Sequence, residues 1–177
     1  MMQPSTAYRS VPNSIVVALV LAFVALLLGP RPLLAQEKKA RDVTQFNLGK
    51  DALALQGYDP VAYFKEGGAK PAKGLETISV LQDGVRYRFA SEDHKKLFLA
   101  TPAKYEPAYG GWCAYAMAKK DKVEIDPESF LTTGDRLMVF YKGFFNDTRA
   151  KWVKDEAAYT VKADKCWAEL IAPPKPK

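Results

Sequence analysis

Histidine occurs once and cysteine twice in this chain of 177 residues. That scarcity excludes much chemistry. There is no Cys-x-x-Cys and no His-x-x-x-His pair, so no local motif supplies a closed zinc site. One imidazole, at His94, must serve every role a histidine plays, and no Ser-His-Asp order marks a hydrolase. No glycine-rich phosphate loop and no paired-carboxylate motif is present; Glu124 and Asp126 are close in sequence, but nothing marks them as acid and base. Apolar runs are short as well. The longest, Ile15 to Leu28, has fourteen residues, against about 20 for a spanning helix.

That run fits the core of an export signal. Arg9 precedes it, Gly29 and Pro30 break it, and Leu33-Leu34-Ala35 offers a small residue for cleavage before Gln36. The expectation is a signal peptide over residues 1–35 and a periplasmic or secreted protein. An uncleaved segment tethering the chain to the membrane is the alternative. With the signal removed, 24 Lys and Arg face 20 Asp and Glu. The lysines lie among acids, which reads as a solvated surface and not as a nucleic-acid stripe. Residues 36–45 read as a flexible lead-in and 172–177, rich in Pro and Lys, as a disordered tail.

The remainder, 46–171, is long enough for one domain with a sizeable core. Gly57-Tyr-Asp-Pro60 reads as a turn in which Asp59 bonds forward to the backbone. Thr77–Gln82 and Val85–Phe89 flank Asp83-Gly84, a strong hairpin signal. Ser91 caps a helix carrying Leu97, Phe98 and Ala100 as its buried stripe. Trp112–Ala118 reads as a short helix and Asp126-Pro127-Glu128 as a turn. Phe130–Thr132 and Leu137–Tyr141 form a second hairpin. Asn146 or Asp147 caps a helix through Trp152, Asp155–Tyr159 is a connection, and Lys162–Ile171 is a last amphipathic helix. The fold class expected is α+β: a small single domain with two β-hairpins and several short helices.

Gly57-Tyr-Asp-Pro-Val-Ala-Tyr-Phe64, Tyr87–Ser91, Phe98 with Pro102 and Tyr105, and Pro107 with Tyr109-Gly-Gly-Trp-Cys-Ala114 resemble the exported YHS-domain proteins. So do Asp126-Pro127, the Leu137–Tyr141 strand, Trp152 with Asp155, and Ala163-Asp164 with Trp167. The resemblance runs from about Leu48 to Leu170. It implies kinship with small cysteine-bearing modules found near heavy-metal transporters and metal-dependent oxygenases. The chain carries one cysteine in the relevant block, not a pair.

Three readings of the site stay open. The first is a soft-metal centre, with copper favoured. Cys113 and Met117 are spaced i, i+4, which puts both sulfurs on one helix face, and His94 offers a third ligand. The second is a small-ligand pocket lined by Tyr58, Tyr63, Tyr109, Trp112 and Tyr115, whose rings combine an apolar body with a polar tip. The third is a structural or partner-interaction domain of the cell envelope in which Cys113 is buried or bridged to Cys166. A thiolate nucleophile at Cys113 trails all three, because no base adjoins it. The expectation is therefore a non-enzymatic binding module, with the ligand class open.

Overall fold

The computed structural model describes residues 41–173. The signal and cleavage readings, residues 36–40 of the lead-in and residues 174–177 fall outside them. Ala40–Lys177 forms a unit of its own, built from three two-stranded antiparallel sheets and five helices.

Strands β1 (Leu75–Gln82) and β2 (Val85–Phe89) form the first hairpin. Its turn residues Asp83 and Gly84 both have positive φ, 46° and 87°, the requirement of a type I′ turn. Val85, Tyr87 and Phe89 point inwards and are buried. Ser91 then caps α1 (Glu92–Ala100), its hydroxyl accepting from the His94 N–H. The buried stripe of α1 is narrower than expected. Phe98 is fully buried, but Leu97 and Leu99 are exposed and so is Ala100, because α1 packs mainly against the first hairpin and α2 (Pro102–Tyr105).

A 3₁₀ turn over Ala108–Gly111 leads to α3 (Ala114–Met117). The second hairpin pairs β3 (Asp126–Thr133) with β4 (Arg136–Phe140). Asp126-Pro127-Glu128, expected as a turn, opens β3 instead; the Asp126 carboxylate accepts the Glu128 N–H and eases the chain into the strand. A third hairpin, not foreseen, joins β5 (Lys142–Gly143) to β6 (Asn146–Asp147). Asp147 caps α4 (Thr148–Trp152). The last helix, α5, begins earlier than its apolar period indicates, at Glu156, because the Asp155 carboxylate caps it; it runs to Ile171.

Two apolar clusters hold these parts. One joins the first hairpin, the Val61–Phe64 turn, Phe98 and Cys113. The other joins Tyr109, Met117, Phe140 and Trp152 to α5 through Ala163. Segment 109–117 contributes to both.

Candidate functional site

Cys113 occupies the N-cap position of α3 and is wholly buried. Its sulfur lies 3.4 Å from Thr148 Oγ1. The Thr148 hydroxyl has one hydrogen, and it donates that hydrogen to the Tyr141 carbonyl at 2.7 Å. The Cys113 S–H is therefore the donor to Thr148. A chain of two hydrogen bonds thus commits the thiol hydrogen to holding α3 against the start of α4.

The other metal-ligand candidates have different neighbours. Met117 is buried in the second cluster beside Met138 and Trp152. His94 points its Nδ1 at Asp59 Oδ2, 2.6 Å away. Asp59 is fully buried, and its carboxylate also accepts the N–H groups of Val61 and Ala90. The His94 ring thus makes a third contact with this carboxylate. The forward bond from Asp59 expected of the turn is present; its clamp on α1 was not legible. Both cysteines are free. Among the described residues, no group of three or more His, Cys, Asp and Glu side chains is arranged to hold a metal ion.

The five aromatic candidates disperse. Tyr63 is fully buried, donates to the Pro127 carbonyl at 3.0 Å, and stacks edge-on with Phe130. Tyr58 donates to Glu128 at 3.2 Å. Trp112 donates to the Gln45 carbonyl at 2.7 Å. Tyr115 packs edge-on against Tyr159, with ring centroids 5.0 Å apart. Of the five, only Tyr109 lines the cavity that the Ala108–Gly111 turn borders.

That cavity, of about 570 Å³, opens to solvent between the Ala108–Gly111 turn, the start of β4 and the outer face of α5. Its apolar wall includes Phe46, Trp167 and Ile171. Its polar wall centres on Tyr109. The Tyr109 hydroxyl donates to Asp164 Oδ1 at 3.0 Å and accepts from Arg136 Nη2 at 3.2 Å. Arg136 forms a forked pair with Asp164, at 2.7 and 3.2 Å, and stacks over the Tyr109 ring. Hydrogen bonding from Arg136, with a second bond from Tyr109, holds the Asp164 carboxyl below the usual carboxylate range despite partial burial. Burial holds the Tyr109 phenol above the ordinary phenol range, and Asp164 pushes the same way against Arg136.

The backbone under this network is strained. Tyr109 has φ 57° and ψ 32°, a left-handed conformation that a bulky residue avoids. Gly110 follows at φ 60°, and a Cβ there would lie 2.7 Å from the Trp167 ring and 3.0 Å from Phe46. Glycine is thus required twice over, for the turn and for the close approach of the cavity's aromatic wall.

Four carboxylates (Asp42, Glu106, Asp135, Asp164) and two guanidiniums (Arg41, Arg136) line the cavity. Both guanidiniums are committed: Arg136 to Asp164, and Arg41 to Glu106 through two bonds of 2.7 and 3.0 Å. Asp135 in turn lies 3.6 Å from Lys104 Nζ, so among the lining carboxylates the surplus negative charge is that of Asp42. Of this set the sequence pointed to Tyr109 alone. Asp164 and Trp167 were legible as one helical face, spaced i, i+3, but nothing in the sequence tied Arg136 or Phe46 to them.

A second cavity, of about 500 Å³, brings Met117 beside Cys166, with Lys120 and Glu169 at its edge. The sulfur that shares a cavity with Met117 is thus that of Cys166.

In comparisons with known proteins, no family model, no curated protein and no solved structure matches the chain.

Proposed function

We propose that the chain is an exported, non-enzymatic binding module of the YHS type that takes a small organic ligand in the Tyr109–Trp167 cavity. The ligand has a planar apolar body and a positively charged amine. The observation that carries this reading is the cavity itself. It has the size usual for small-molecule sites, about 300–1,000 Å³, and pairs an aromatic wall with a preorganised Tyr109–Arg136–Asp164 network. Several residues that carry the family resemblance, namely Pro107, Tyr109, Gly110, Asp164 and Trp167, line this one cavity. Asp42, the lining carboxylate outside the three ion pairs, favours a cation.

Copper at Cys113, the other ligand expected, is less supported. The thiol is sealed from solvent and its hydrogen is engaged by Thr148. A purely structural role explains the Cys113 corner but leaves the cavity without a use.

Titration of the protein with phenethylamine and other small aromatic amines, followed by amide chemical shifts, tests the proposal. The expected result is saturable perturbation at Tyr109, Arg136 and Trp167, weakened by Trp167→Leu and by Asp42→Asn. Phenylacetate should bind more weakly. If no amine perturbs these residues, or the anion binds as well as the amine, the proposal fails.

A further inference from the structure

The third hairpin breaks the rules of turn chemistry. Its two-residue loop is Phe144-Phe145, where Gly, Asn, Asp, Pro or Ser is the norm. Neither Phe has positive φ, so the turn is not of the primed type that matches strand twist, and pairing stops after two residues on each side. The side chains are 94 % and 95 % exposed, with ring centroids 4.5 Å apart. Two large apolar rings in water at a turn tip conflict with folding preference, and such conflicts mark function.

The base beneath the tip is rigid. Asp147 accepts the N–H groups of Arg149 and Ala150, and Thr148 ties the hairpin to the Tyr141 carbonyl. Lys151 Nζ bonds Asn146 at 2.6 Å. Around the rings the charge is one-sided. Residues 142–154 hold Lys142, Arg149, Lys151 and Lys154 against Asp147 alone, which is half of the chain's net charge of +6.

We propose that the Phe144–Phe145 tip inserts into the headgroup region of an anionic phospholipid bilayer and docks the protein there, independently of the N-terminal apolar run. Two rings offer at most about 300–500 Å². That is well short of the roughly 800 Å² per partner of a specific protein interface, and the residues that flank it in sequence are mostly basic, with Val153 the one further exposed large apolar side chain among 142–154. Two protruding rings within a basic collar suit a lipid interface, where apolar insertion and attraction to anionic headgroups add.

The test uses the full chain carrying Phe144→Trp and vesicles with brominated acyl chains. Because Ile15–Leu28 is itself apolar, the readout must be local to residue 144. The expected result, relative to the parent chain, is an added indole emission that shifts blue and is quenched on phosphatidylglycerol-containing vesicles. Adding Lys142→Gln and Lys154→Gln should weaken this on the order of tenfold or more. An added indole that stays unquenched overturns the proposal, and equal quenching on pure phosphatidylcholine overturns its anionic-lipid part. Sedimentation of Phe144→Ser/Phe145→Ser gives a second check. If the parent is a dimer and this variant a monomer, a second copy covers the rings and the lipid reading falls.

Discussion

Tyr109 and Cys113 stand four residues apart, yet they face opposite environments. Cys113 is sealed in the main cluster, its hydrogen passed through Thr148 to a carbonyl. Tyr109 lines an open cavity, its hydroxyl shared between a carboxylate and a guanidinium. The two consecutive positive-φ glycines, Gly110 and Gly111, turn the chain between them. A soft ligand atom therefore marks the corner that holds the fold, and a phenol, itself 3 % exposed, lines the open cavity. Residues of the sealed side should govern stability, and those of the open side should govern binding.

The hardest test of the sealed side is Asp59→Ala. It removes the acceptor of the buried Val61 N–H and of the part-buried Ala90 N–H and His94 ring. The expected loss is about 3–5 kcal/mol in urea unfolding, as for removing one member of a buried charged network. A midpoint within error of the parent would mean that this side is not sealed.

Gly110→Ala strikes the border between the two regions. The added methyl meets Trp167 and the backbone stays left-handed, which should cost about 2–3 kcal/mol and also disturb amine binding. Loss of stability with unaltered binding would separate the turn from the cavity. Cys113→Ser should cost less, about 1–2 kcal/mol, because a hydroxyl can still donate to Thr148 but is costlier to bury than a thiol. Phenethylamine affinity and Cu(I) uptake should be the same in Cys113→Ser as in the parent. A fall in either would return the function to the sulfur.

The elements were easier to read than the site, for a physical reason. Asp83-Gly84, Ser91 and Asp147 act on their immediate neighbours, so turn and cap chemistry is visible in a few residues. The third hairpin was missed because its loop carries no turn residue. The cavity depends on pairings that span the chain: Phe46 against Trp167 at 5.5 Å, and Arg136 against Asp164. Composition grouped Tyr58, Tyr63, Tyr109, Trp112 and Tyr115 together; only folding shows that Tyr63 is interior while Tyr109 lines the site. Cys113 and Met117 were read as one face of a short helix, but Cys113 is the N-cap of that single turn and the two side chains enter different clusters.

The smallest effect concerns acid. The Asp164 carboxyl is held below its ordinary value of 3.8, first by the Arg136 hydrogen bond. A group with a depressed folded-state pKa contributes stability that is present above its unfolded value and lost as pH falls through the folded one. Unfolding free energy should therefore drop from pH 6 to pH 3 by a share due to this pair. Asp164 is 47 % exposed, so solvent screening keeps that share under about 1 kcal/mol. Glu66, lowered chiefly by its bond from Lys104, loses its contribution in the same direction. Comparison with Arg136→Gln cancels the Glu66 part, since the Lys104 pair is untouched. Arg136→Gln should thus be less acid-sensitive than the parent, whereas Cys113→Ser should keep the parent's full sensitivity. If Cys113→Ser flattened the acid response and Arg136→Gln did not, the division between a sealed and an open side would be drawn in the wrong place.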